Sequence, residues 1–401
     1  MSGSWWLRTT VLLLSLGYLA GSPGLLVLAA LTSVGVGAAW IWNRLSLQGV
    51  SYQRRLDHSR GFPGEQVRCW LRVENRKRLP LPWLRIVDRW PLEIAPEDKS
   101  LLSPSHLSGF GNLHLVLSMH PRQSVRREIQ LALRRRGVHL LGPAWMSSGD
   151  GFGLFQSESL HSHKDQLVVF PRVTRLADLG IRPEDPFGLR HSPRRLYEDT
   201  AQPCGVRDYR PEDGFRRIHW PASARASRLQ SRVFQPVAGL DLILFLNAAT
   251  YAQAWMGVDK EQLDRLVETA ASFVYAAFEQ GYRVGLVSNG SVARSGRPFR
   301  FPPSRAPGQL PKLLEALAGL TYLIPTPFDR FLLRETPFLE YGASLVVISA
   351  VLSPETLEAI ARLRRRARKL TLVSLTADPV PRLRGIDVLH LPSGIPQPLA
   401  T

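Results

Sequence analysis

"LDLILFL", Leu240 to Leu246 with Asn247 following, is the stretch that decides the fold. All but one of its residues are apolar and they do not alternate with polar ones, which is how a strand buried on both faces reads. "RVGLVS" (Arg283–Ser288), "ASLVVIS" (Ala343–Ser349) and "KLTLVSL" (Lys369–Leu375) repeat the type. Between the first two, Asp259 to Gln280 sets Leu263, Leu266, Val267, Ala270, Phe273, Val274, Ala277 and Phe278 at i, i+3, i+4, i+7 spacing, with Gly281 at the stop. A further helix is predicted from Pro354 to Lys369, capped by Ser353 and carrying the basic "RLRRRARK" in its last turns. Strand, helix, strand at this spacing predicts an open parallel α/β sheet over 239–401.

Upstream, the period changes. From Ser51 to Phe170 short runs alternate: "VRCWLRV" sets Val67, Cys69, Leu71 and Val73 on one face, and "LHLVL" and "EIQLAL" repeat the period of two. This predicts antiparallel sheets, most simply a β-sandwich, over 45–175, with Cys69 as a small core hydrophobe. Residues 176–238 form a linker and a densely charged segment. The first 43 residues carry one charge, Arg8, and two apolar stretches, Trp5–Ala20 and Gly24–Trp42, divided by the turn signal "GSPG". A transmembrane helical hairpin over 1–44 is the expectation, with Trp5, Trp6, Trp40 and Trp42 at the interfaces; a cleaved signal peptide ending near Ala20 is the competing reading. Arg8 lies on one side of the hairpin and Arg44, Arg54 and Arg55 follow it on the same side, which puts both ends in the cytoplasm by the positive-inside rule, so the chain reads as a two-pass cell-membrane protein with cytoplasmic domains.

The 401 residues carry 51 Lys and Arg against 33 Asp and Glu, a formal charge of +18 concentrated between Arg44 and Ala238. Such a surface favours anionic partners: acidic lipid, an acidic protein or a polyanion. The only cysteines, Cys69 and Cys204, make neither a disulfide framework nor a Cys-rich metal site and suit a reducing compartment.

"RDYRPEDGFRRIHWPASAR", Arg207 to Arg225, is too charged for core and too aromatic for plain surface. Arg207, Arg210, Arg216, Arg217 and Arg225 are planar donors, and Asp208, Glu212 and Asp213 are acceptors within reach. Tyr209 and Trp220 offer faces for guanidinium stacking, with His219 beside them. The segment is expected to be a rigid clasp between the sandwich and the α/β domain, with a binding surface for an anionic or acidic partner as the alternative. Cys204, His219 and Asp208 have the residue types of a thiol triad, but a lone His beside Trp is more often a packed structural residue. No second His or Cys lies at ligand spacing from His219.

Four stretches carry a resemblance: "RRRGVHLLGP" (Arg134–Pro143), "GDGFGLF" (Gly149–Phe155), "LVVFPRV" (Leu167–Val173) and "VRDYRPEDGFRRIHWPASARASRLQSRVF" (Val206–Phe234). In this order they resemble the domain of unknown function 58 family, over nearly the whole chain. The resemblance implies a membrane hairpin, a β-sandwich-like region and a von Willebrand factor A-like domain. It also implies a role beside a MoxR-type AAA+ ATPase in the assembly or maturation of other proteins. Gly151 stands where the family commonly has Pro, and Glu212, Asp213 and Gly214 stand where it usually has a Gly-Asp turn; both changes keep a tight turn. A metal-binding domain of that type needs Asp-x-Ser-x-Ser after its first strand, because a hard cation takes carboxylate and hydroxyl oxygens. Here the positions hold Asn247, Ala249 and Tyr251, so no metal is expected, and no cofactor.

The expected function is therefore a membrane-anchored scaffold or adaptor, not an enzyme. A hydrolase or thiol enzyme would need a nucleophile motif, and the chain has no G-x-S-x-G, P-loop or zinc helix. An anionic-polymer-binding membrane protein is allowed by charge, but no nucleic-acid module is present and no specific nucleic acid is expected.

Overall fold

A computed structural model describes residues 4–179, 181, 187, 198–210, 214–236, 241–253, 256–293, 296–339, 342–381 and 383–391. The chain is multidomain and divides into two compact units, residues 1–171 and 172–401.

The first unit opens with two helices, Ser4–Leu19 and Pro23–Ser46. Pro23 occupies the first turn of the second, where a missing N–H costs nothing. Of the two expected spans, only Pro23–Ser46 is long and apolar enough to cross a membrane; Ser4–Leu19 has 16 residues, short of the ~20 a bilayer requires. By length and composition this helix suits a membrane anchor.

Eleven strands follow: β1 (Val50–Leu56), β2 (Arg60–Gly61), β3 (Gln66–Asn75), β4 (Leu81–Pro91), β5 (Leu102–Pro104), β6 (Phe110–Met119), β7 (Ser124–Ala132), β8 (Gly137–Leu141), β9 (Ala144–Gly149), β10 (Gln156–His161) and β11 (Asp165–Val169). They form sheets of order β1-β3-β7 and β10-β9-β4-β6-β5, antiparallel throughout, and a small sheet β2-β11-β8 whose β2–β11 pair is parallel. The parallel pair was not expected. The inward residues are those the alternation gives: Val67, Cys69, Leu71 and Val73 from β3 share one core with Leu84 and Ile86 of β4 and Leu113 and Leu115 of β6. Each fully buried Leu or Ile contributes roughly 1.5–3 kcal/mol relative to exposure. Burial pushes the Cys69 thiol up to about 12, with the charge of Asp88 adding to it, so it packs rather than reacts.

One polar cluster lies within this core. Arg54 Nη1 donates to Asp88 Oδ1 at 2.5 Å with both side chains out of solvent, and Arg54 Nε donates to Asp165 Oδ2 at 2.7 Å. Asp88 Oδ2 also accepts from Tyr52 Oη and Trp90 Nε1, each at 2.7 Å. Every strong group here has a partner, the condition on which a buried charge pair is tolerated.

The second unit begins with a two-stranded antiparallel ribbon, β12 (Glu198–Asp208) and β13 (Gln230–Pro236), linked through the short helix Trp220–Ala226. A six-stranded sheet follows: β14 (Asp241–Leu246), β15 (Arg283–Ser291), β16 (Pro298–Ser304), β17 (Ser344–Ser349), β18 (Lys369–Ser374) and β19 (Asp387–His390), in the order β16-β15-β14-β17-β18-β19. All pairs are parallel except β15–β16. Asp241–Leu246 of the quoted stretch form β14, and every residue of that strand is buried. Ile243 and Phe245 meet Phe331, Leu332 and Ile360 on one face, while the Lys260–Glu279 helix packs on β14, β15 and β17. That helix starts where Asp259 accepts from the amides of Glu261 and Gln262. The other predicted helix is shorter than expected: capped by Ser353, it ends at Leu363 instead of Lys369. Arg364 bonds the carbonyls of Gly385 and Ala367, and Arg366 that of Thr336, so the basic run is a turn tied to backbone before β18.

Candidate functional site

Within the charged segment, the described residues at the end of the ribbon are tied together by a short chain of side-chain bonds. His219 is half-buried and caps the Trp220–Ala226 helix, its Nδ1 accepting from the Ala222 amide at 3.1 Å while its own amide donates to the Gln230 carbonyl at 2.8 Å. Ser223 Oγ donates to the His219 carbonyl at 3.0 Å and accepts from the Gln230 amide at 2.8 Å. Gln230 Nε2 then donates to Asp208 Oδ1 at 2.6 Å. Asp208 itself is exposed and pairs with Arg228 at 3.2 Å, a solvated ion pair of small worth. Ser223 and Gln230 were not among the expected site residues; their signal was a Ser one turn into a helix facing a strand amide, which no local pattern announces.

The aromatic residues face outward. Trp220 is 65% exposed and Phe215 80%. Tyr209 is half-buried and stacks on Phe215 with ring centroids 6.3 Å apart. Val206 and Leu229 are exposed nearby in sequence, at the ends of the paired strands. Arg207, whose Nη1 donates to the Asp208 carbonyl at 3.3 Å, and Arg217 are half-buried; Arg210 and Arg225 are exposed. Glu212 and Asp213 lie outside the described residues, as do the side chains of Arg216 and Cys204. With Nδ1 of His219 committed to a helix amide, that atom is not free to serve as a base toward a thiol. Chemically, the ribbon offers exposed apolar rings on an arginine-rich segment, the composition found at the energetic centres of protein interfaces.

A second location is set by the sheet. Its order reverses between β14 and β17, the switch point at which open α/β sheets take ligands beyond their carboxyl ends. The residues there bond one another. Asn247 Nδ2 donates to Ser349 Oγ at 2.9 Å, and Asn247 Oδ1 accepts from the Ala249 amide at 3.1 Å and from Asn289 Nδ2 at 3.2 Å. Asn289 Oδ1 accepts from the Ala248 amide at 2.9 Å. Gly290 lets this approach happen, since a Cβ there would come within 2.7 Å of Ala248 Cβ. Both amide oxygens are spent on N–H donors, and Tyr251 is partly exposed rather than turned into the cluster as a ligand. Asp241 is at the opposite end of the strand, held bidentate by Arg283 at 2.5 and 2.6 Å. Among the described residues no three His, Cys, Asp or Glu side chains are grouped to hold a metal.

Some solved structures have folds that overlap part of the chain. One, titled "AvmM Catalyzes Macrocyclization in Alchivemycin A Biosynthesis", covers 31% of this chain at 13% identity with a TM-score of 0.22. A cohesin module from Clostridium perfringens covers 29% at 12% identity with a TM-score of 0.21. Likeness at that level carries no argument. Among curated proteins, "Uncharacterized protein YeaD" of Bacillus subtilis (strain 168) is 24% identical over 244 residues, 61% of this chain and 57% of its own length. The chain thus matches little more than half of that relative. Residues 205–378, from the end of β12 through β18, match the family model described as "Protein of unknown function DUF58".

Proposed function

We propose that the chain is a membrane-anchored adaptor that presents the β12–β13 ribbon to a protein partner, and that the partner is a MoxR-type AAA+ ATPase, as the family resemblance implies. The single observation carrying this reading is the exposure of Phe215 and Trp220 among arginines on an internally bonded, ordered ribbon. A purely structural segment would turn those rings inward. The strand order, with one antiparallel strand at its edge, supports reading residues 239–401 as a von Willebrand factor A-like domain. The amide cluster at its switch point supports a degenerate metal loop, which suits a binding module better than a metal-dependent one. In this reading the units beyond Arg44 face the cytoplasm, and the two N-terminal helices together form the anchor.

The test is co-purification of the full chain from host membranes in mild detergent. The wild type is expected to recover an AAA+ ATPase, and a Phe215→Ser, Trp220→Ala double variant is expected to lose it with its melting temperature unchanged. A double variant that keeps the ATPase, or a wild type that recovers none, overturns the proposal.

A further inference from the structure

The "GDGFGLF" stretch has a place in the fold that the adaptor reading does not use. Asp150 is buried, and its carboxylate accepts from three backbone amides of the same loop: Phe152 at 2.9 Å, Leu154 at 3.0 Å and Phe155 at 3.0 Å. The Asp150 carbonyl accepts from Trp83 Nε1 at 3.2 Å, and the Asp150 amide closes the loop on the Phe155 carbonyl. Gly153 supplies the one positive φ of the turn, 75°. Four of the loop's amides are therefore satisfied from within it.

What the loop displays is apolar. Phe155 and Leu154 pack against Val36 and Ala39 of the Pro23–Ser46 helix, while Phe152 is 82% exposed. Ser157 Oγ holds the same helix one turn further on, at the Asn43 carbonyl. Val36 lies eight residues before Arg44, about 12 Å along the helix axis. A helix anchored with Trp40 and Trp42 at headgroup level thus carries the loop down to the acyl boundary. Unbonded backbone polar groups are costly in a bilayer, and Asp150 removes three of the loop's N–H groups from that cost.

We propose that the Gly149–Phe155 loop is a second membrane contact, inserting Phe152 into the lipid boundary beside the anchor helix. This rests on the Pro23–Ser46 helix being a membrane anchor. The loop would then help to fix the depth and tilt of the first unit at the bilayer.

The experiment uses the full chain in nanodiscs of phosphatidylethanolamine and phosphatidylglycerol, with spin labels at single cysteines in a Cys204→Ser background. Cys69 is fully buried and escapes labelling. Labels go at Phe152→Cys, at Leu31→Cys on the exposed side of the helix, and at Ser59→Cys, beyond the end of β1 remote from the anchor. At positions 31 and 152, relaxation by oxygen is expected to exceed relaxation by a water-soluble nickel chelate, with the reverse at 59. A lipid signature at 31 with position 152 as aqueous as 59 overturns the loop proposal and leaves the anchor standing. Aqueous behaviour at both 31 and 152 overturns the anchor and the loop together.

Discussion

Lys77 Nζ donates to the carbonyl of Leu45 at 2.8 Å and to that of Ser46, closing the last turn of the anchor helix from the β3–β4 connection. The final carbonyls of a helix have no partner within it, and an ammonium group both bonds them and meets the negative end of the dipole. Lys77→Met is expected to lower stability by about 1–2 kcal/mol, with Lys77→Arg retaining most of it. Denaturation of the full chain in detergent measures this. A Met variant as stable as the wild type would show that the tie is idle.

Asp88 satisfies Arg54, Tyr52 and Trp90 at once, so its removal takes one of two carboxylate partners from a buried guanidinium, leaving Asp165, and strips Tyr52 and Trp90 of their acceptor. Asp88→Ala is expected to cost ~3–5 kcal/mol, and Tyr52→Phe, which removes one neutral donor, about 1 kcal/mol. Equilibrium unfolding of the detergent-solubilised chain tests the ratio. Equal losses for the two variants would mean that the ion pair does not dominate the cluster.

The strands around this cluster were legible in the sequence, and the cluster was not. Val67, Cys69, Leu71 and Val73 announce their face because burial repeats every second residue along one strand. Arg54, Asp88 and Asp165 come from three strands far apart in sequence and meet only through the fold, so nothing local marks them. The same distinction explains the ribbon. Its density of Arg and aromatic residues was visible, but whether Trp220 turns in or out depends on the His219, Ser223 and Gln230 bonds that seat the short helix. The basic run after Leu363 misled because its guanidinium groups bond carbonyls from distant turns rather than a helix face.

Acid should weaken the first unit. Burial lowers the affinity of His139 for protons although its Nε2 donates to the Arg135 carbonyl, and burial lowers that of His161 too, with the charges of Arg54 and then His163 adding to the effect. Asp165 and Asp88 oppose it. An unfolded histidine protonates near ~6.5, so as pH falls through that value the unfolded state binds more protons than the native one and stability drops. The loss levels off once the native histidines are protonated as well. Melting temperature is expected to fall from about pH 7.5 to about pH 5.5, and a His139→Gln, His161→Gln double variant should flatten the slope. An unchanged slope in that variant would assign the acid sensitivity elsewhere.

The switch point of the α/β sheet gives the last prediction. Asn247 holds β14 to β17 through Ser349 and to β15 through Asn289, and its side-chain oxygen also accepts from the Ala249 amide. Truncating it leaves Ser349 Oγ, Asn289 Nδ2 and that amide without this partner in a buried site, so Asn247→Ala is expected to cost about 2 kcal/mol or more. Asn247→Asp keeps the acceptor but loses the donor to Ser349 and adds a charge, and it should be destabilising in the absence of divalent cation. A cation stabilises only by binding the native state, and the native amide oxygens are already occupied by N–H donors. Millimolar magnesium should therefore leave the melting temperature of the wild type unmoved. A rise with magnesium in the wild type that Asn247→Ala abolishes would mean that the amide cluster opens to coordinate metal, and that the domain is not degenerate.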